Sequence, residues 1–146
     1  QAITYCAFLK DWFERHNIEV IRTGLQSTEE LDSGTSLVAG PYEPAMGELV
    51  VNEQYKQRIE RCINEHIESF IDKELSQWNI WGQVNTYIAL NISIFYPRSL
   101  TSKVRGLKNR NMLYFQEKYP HININWYEDS TRNTVRCCID GLQYVL

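Results

Sequence analysis

Two groups of residues in this chain have types and spacings that could do chemistry. Cys62 and His66 stand four apart. On a helix that spacing puts a thiol and an imidazole on one face, where both could ligate zinc. A tetrahedral site needs further ligands, and His16, His121, Cys6, Cys137 and Cys138 offer no second pair at ligand spacing. A buried thiol beside a hydrogen-bonded histidine is the better account, so no metal and no other cofactor is expected. The second group is basic. Arg98, Lys103, Arg105, Lys108, Arg110 and Lys118 face a single acid, Glu117, for a net +5 over residues 98–118. Such side chains attract phosphates, and the nearby Tyr114, Phe115 and Tyr119 could stack on unpaired bases. Arg98, Lys103, Arg105, Lys108 and Arg110 are therefore the candidate nucleic-acid contacts. The competing account, which is favoured, is a solvated helix face whose aromatics lie at core spacing.

A third stretch runs Asp32-Ser33-Gly34-Thr35-Ser36-Leu37-Val38-Ala39-Gly40-Pro41. It resembles the catalytic-aspartate turn of the pepsin-like aspartic proteases. That resemblance implies a catalytic Asp32 whose partner carboxylate comes from a second copy. The match covers about ten residues. It is approached through Glu29-Glu30-Leu31 where the family has an apolar strand, and the family's later apolar-apolar-Gly motif has no counterpart. A Gly/Ser-rich loop accounts for it better. Asn91-Ile92-Ser93 is an N-glycosylation sequon in mid-strand, with nothing else to argue for secretion. There is no Walker loop, no dinucleotide-binding glycine motif and no Ser/His/Asp arrangement readable from spacing. Of the four tryptophans, Trp81 sits in a predicted turn and is the candidate anchor for a partner.

The elements that must position these residues follow from periodicity. The main one is an amphipathic helix over Val50–Trp78. Its apolar positions Tyr55, Ile59, Cys62, Ile63, Ile67, Phe70, Ile71, Leu75 and Trp78 recur at steps of three and four. Ile3–His16 reads as a shorter helix with Ile3, Cys6, Leu9 (or Phe8), Trp12 and Phe13 on its apolar side, stopped by Asn17. Ile18–Arg22 reads as a strand. Thr23–Gly47 is a long connector, and Ser27 with Glu30 has capping-box spacing within it. Val84–Tyr96 alternates as a strand and ends at Pro97. Ser99–Tyr119 is a second long helix with a weak point at Gly106, where it bends or splits. Ile122–Tyr127 and Val135–Ile139 alternate and read as a hairpin. Leu142–Leu146 either extends the last strand or begins another segment.

Composition bounds the rest. The chain has 146 residues, 43% of them hydrophobic, which suits a single globular domain over 1–146. No apolar run approaches the roughly 18 residues of a membrane span, and no signal peptide is visible. The chain does not begin with Met and reads as a processed product or a piece of something longer. Cys137 and Cys138 are adjacent on a strand and point to opposite faces. Reduced thiols are expected, and an intracellular setting before a secreted one. Residues 1–80 carry 7 Lys/Arg and 14 Asp/Glu, residues 81–146 carry 8 and 4. Opposed halves of this kind suit contact with each other or with a second copy.

The expected fold is α+β, with two long amphipathic helices packed on one face of a small, mostly antiparallel sheet. The expected work is non-enzymatic binding through protein–protein contacts, including self-association as a homo-oligomer. Nucleic-acid binding through the basic segment is the runner-up. An enzyme whose site assembles only in three dimensions is the third reading.

Overall fold

The structure, a computed structural model, describes residues 1–39, 42–77 (backbone alone at 73–77) and 90–146. The protein is α+β, and its chain falls into two compact units, residues 1–54 and 55–146.

The first unit opens with helix α1, Ala2–Arg15. It ends where expected: His16 caps it and Asn17 turns into the left-handed region at φ 57°, the conformation that commonly stops a helix. A single helical turn, α2, covers Glu29–Asp32. Its cap is Thr28, whose hydroxyl accepts from the Leu31 N–H at 3.3 Å. Ser27, the expected cap, is displaced by one residue and donates to the Asp32 carboxylate instead, at 2.6 Å. Ile18–Arg22 forms no strand, and Ile21 in it is 92% exposed. A lone extended segment has no neighbour to satisfy its backbone groups, so alternation alone does not make it a strand. Helix α3, Met46–Gln77, begins in this unit. The buried residues of the first unit are Ala7, Asp11, Val50, Asn52 and Gln54.

The second unit holds a four-stranded mixed sheet in the order β2-β1-β3-β4. The strands are β1 Asn91–Tyr96, β2 Asn123–Glu128, β3 Arg136–Ile139 and β4 Leu142–Val145. Two of the three pairings, β1 with β3 and β3 with β4, are antiparallel; β1 with β2 is parallel. A parallel pair needs a long crossover. Here it is a 3-10 turn at Arg98–Leu100 followed by α4, Thr101–Arg105, and α5, Arg110–Lys118. The expected hairpin between the third and fourth predicted strands does not form, because β1 lies between β2 and β3. The hairpin is β3–β4, turned by Asp140 and Gly141 at φ 48° and 85°. Two positive φ values in a two-residue loop match the twist of antiparallel strands. Residues 84–89 of the predicted strand Val84–Tyr96, together with Trp78 and Trp81, lie outside the described residues.

Strand alternation divides the sheet into two faces. Ile92, Ile94 and Tyr96 of β1, with Cys137 and Ile139 of β3, pack against Ile59, Cys62 and Ile63 of α3, Val104 of α4 and Phe115 of α5. The helix stripe thus buries itself on β1, and Leu90, the residue just before that strand, belongs to the same core. Among the described residues this burial fades beyond Ile63: Ile67 is only partly covered and Ile71 is 41% exposed.

The second long helix is divided at Gly106, which has φ 76° and ψ 161°. Lys108 and Asn109 also carry positive φ before α5 begins. A Cβ on Gly106 would meet the Asn111 side chain at 3.0 Å. That side chain is buried and its amide donates to the Val104 carbonyl at 3.0 Å. Gly106→Ala is therefore expected to destabilise the protein by about 1–3 kcal/mol from backbone strain, and more if the Asn111 bond is displaced. Urea denaturation with an unchanged midpoint would contradict this.

Candidate interaction surfaces

Helix α1 leaves one of two apolar sides in solvent. Tyr5, Phe8, Leu9 and Trp12 are 68%, 51%, 50% and 40% exposed. Their spacing of three, one and three aligns them along one face. The residues turned inward are Ala7 and Asp11, four apart. Asp11 is tied to Arg15 at 3.1 Å, and Glu14 accepts from the buried Gln54 amide at 2.6 Å. Trp12 stacks on His16 at 4.0 Å between ring centroids. Of the expected apolar side, Ile3, Cys6 and Phe13 are half-buried while Leu9 and Trp12 face solvent. Of the fifteen large apolar residues exposed among the described residues, nine belong to the first unit, which is the smaller one. Its surface is therefore the richer in exposed large apolar side chains among the described residues.

The sheet face away from the helices forms a second surface. Register puts Tyr127, Phe95, Arg136 and Val145 in one row, and Asn125, Ser93, Cys138 and Gln143 in the next. Phe95 and Tyr127 stack with centroids 5.3 Å apart and planes at 23°. The Arg136 guanidinium lies over Phe95 at 5.5 Å and is held by the Asp129 carboxylate. The Thr131 hydroxyl and backbone N–H, then Arg136, hold the Asp129 carboxyl below the usual carboxylate range. A carboxyl lowered in the folded state contributes stability above its unfolded pKa, about 3.9 for aspartate, and loses it as pH falls through the folded value. Asp129→Asn is therefore expected to melt below wild type at neutral pH, with the gap closing as the pH drops below about 4. A gap independent of pH would contradict this role for the carboxylate.

The basic segment does not form one helical stripe. The break at Gly106 separates Lys103 from Arg110, so their seven-residue spacing no longer places them on one side of one helix. Arg98, Lys103, Lys108 and Arg110 are exposed. Arg105 turns inward: its Nε donates to the Tyr96 hydroxyl at 2.5 Å, and its guanidinium lies over that ring at 5.5 Å. The nearby aromatics behave as core, with Phe115 fully buried and Tyr114 and Tyr119 partly buried against it. Tyr114 and Tyr119 donate to Glu60 and Asn64 of α3, both at 2.9 Å.

Cys62 and His66 have separate partners. Cys62 is hydrogen-bonded to Cys137, which lowers the Cys62 thiol and raises that of Cys137, with burial adding to the latter. His66 Nδ1 lies 3.1 Å from the Tyr144 hydroxyl, and its Nε2 lies 3.8 Å from the Asp140 carboxylate. Among the described residues no cluster of three or more His, Cys, Asp or Glu could hold a metal ion. Asp32 sits at the end of a helical turn, not in a protease-like β-turn. It accepts from Ser27 and from the Tyr42 hydroxyl at 2.8 Å, and both bonds lower its carboxyl. A cleft of about 490 Å³ opens beside α5 and β2, lined by Met112, Tyr119, Ile122, Ile124 and Trp126 among others. No helix of the described residues is long and apolar enough to cross a membrane.

Sequence periodicity missed the outward face of α1 and the row of Tyr127, Phe95 and Arg136. The first left a signal, a second apolar spacing at Tyr5, Phe8, Leu9 and Trp12, which does not say which side is covered. The second needed the strand register, which alternation does not supply. Compared with family models, with curated proteins and with solved structures, the chain finds no significant match.

Proposed function

We propose that this chain is a protein-binding module that works by self-association, with helix α1 as the principal contact. The observation that supports this most is the exposed apolar face of α1. The helix turns Tyr5, Phe8, Leu9 and Trp12 to solvent and Ala7 and Asp11 inward. Helix recognition commonly uses anchors at i, i+3, i+4 and i+7, which is the spacing of these four residues. Aromatic side chains are the residue class most enriched at such contacts.

A second copy is the partner the chemistry favours. Two such stripes are self-complementary when the helices run antiparallel, because each presents the same patch to the other. The charges of α1 do not oppose this. Lys10 and Arg15 balance Asp11 and Glu14, and the Lys10–Glu14 and Arg15–Asp11 ion pairs hold them within the helix. The contact is then chiefly apolar, so raising salt should leave it nearly unchanged. A dilution series by sedimentation velocity tests the reading. The expected result is a mass above 17.2 kDa at micromolar concentration, falling towards 17.2 kDa on dilution. A 17.2 kDa particle at every concentration would overturn it.

A further inference from the structure

The face of the sheet turned away from the helices carries groups that an unpaired nucleobase would recognise. We propose that the Tyr127–Phe95 pair is a stacking platform for single-stranded nucleic acid, with Arg136 beside it as a hydrogen-bond donor and Arg98 and Arg132 at its rim as phosphate contacts.

The platform is built from the strand register. Phe95 of β1 stands between Tyr127 of β2 and Arg136 of β3. Tyr127 is 47% exposed and stacks on Phe95, which in turn carries the Arg136 guanidinium. Bases stack on aromatic rings and guanidinium planes without regard to sequence. Arg136 is 8% exposed, and its Nε is a buried donor with no hydrogen-bond partner among the described residues. A buried unpaired donor is rare in proteins and commonly points to a missing acceptor. A base carbonyl or a phosphate oxygen would supply one. The next row, Asn125, Ser93, Cys138 and Gln143, adds polar groups for base edges.

The charge at this end of the sheet favours an anion. β1 and β2 are parallel, so their C-terminal ends lie together, and the connection from β2 to β3 must cross the end of β1. That brings Arg98, just after β1, beside this connection: its N–H donates to the Ser130 hydroxyl at 3.4 Å. Arg132 belongs to the same connection and is exposed. Of the two acids here, Asp129 is paired with Arg136, while Glu128 accepts from the Thr101 hydroxyl at 3.0 Å and keeps its charge; Arg98, Arg132 and Arg136 against Glu128 and Asp129 leave a net +1. Among the described residues, Arg98 and Arg132 have no carboxylate partner. Residues 55–146 carry 12 Lys/Arg and 9 Asp/Glu, a net +3 in a chain of net −3.

This surface is distinct from the α1 stripe, and the test separates the two. Fluorescence anisotropy of a labelled oligothymidine and a labelled oligouridine is measured against the whole protein at low salt, beside a duplex of the same length. The expected result is binding of a single strand in preference to the duplex. Tyr127→Ala should weaken that binding about tenfold, in the range of one lost base stack, while Tyr127→Phe keeps it. Arg98→Gln should reduce the salt slope by about 0.7, one phosphate contact. Tyr127 and Arg98 are exposed, so both variants are expected to melt like wild type. Absence of binding to either single strand, equal binding of duplex, or unchanged affinity in Tyr127→Ala would overturn the proposal.

Discussion

Ile63→Glu is expected to unfold the second unit. Ile63 is fully buried in one cluster with Ile59, Cys62, Ile92, Ile94 and Ile139. Truncating a buried isoleucine costs about 2–5 kcal/mol. A carboxylate left there without a partner adds several more, or forces the group to take up a proton. Small domains are stable by only about 5–15 kcal/mol, so the change is comparable with the whole stability. Circular dichroism and thermal melting give the readout. The same substitution further along α3 should fade in effect. Ile67 is partly buried, so Ile67→Glu lowers the melting temperature without abolishing the fold. Ile71 is 41% exposed, so Ile71→Glu is nearly silent. Wild-type melting of Ile63→Glu would contradict the packing of α3 on the sheet.

The second large effect is on assembly and not on stability. Phe8→Glu combined with Trp12→Glu is expected to leave the chain a 17.2 kDa monomer where wild type is larger. Both side chains are 40% exposed or more, so the folded single chain loses little by the change. In a two-fold contact each substitution occurs twice. Four carboxylates would enter an apolar seam, and buried contact aromatics are commonly worth about 2 kcal/mol or more each. The loss exceeds a hundredfold in the dissociation constant, since every 1.4 kcal/mol is about tenfold. The control is the double variant's melting curve measured as a monomer. A variant that still assembles like wild type places the contact elsewhere; one that unfolds shows that α1 needs those rings for its own packing.

Where the sequence was legible, a single local cause decided the outcome. The stripe of Ile59, Cys62 and Ile63 has helical spacing, and it is the part of α3 that is buried on the sheet. Gly106 lacks the Cβ that would make φ 76° costly, and the helix divides there. Cys137 and Cys138 are adjacent on β3, and one is fully buried while the other is half-exposed. Strand partners were not legible, because alternation identifies a strand and not its neighbour. Ile122–Tyr127 and Val135–Ile139 both alternate, yet β1 separates them. The Asp140-Gly141 pair was the readable sign of the true hairpin. The facing of α1 was illegible for another reason. Ile3, Cys6 and Phe13 overlap in spacing with Tyr5, Phe8, Leu9 and Trp12, so the helix has apolar residues on two sides. Periodicity cannot say which side the rest of the chain covers. The seam it uses, Ala7 and Asp11, is a small residue and an ion-paired one, which no hydrophobic pattern would select.

If two copies meet at the exposed stripe of α1, each covers the other's Tyr5, Phe8, Leu9 and Trp12. Hydroxyl-radical footprinting across a dilution series reads this at the side chains themselves. As concentration rises through the range where sedimentation mass increases, modification of Tyr5, Phe8, Leu9 and Trp12 should fall together. Val38 and Leu142, 99% and 55% exposed and on other elements, should keep their rates. Constant modification of the four α1 residues while the mass rises would contradict the account.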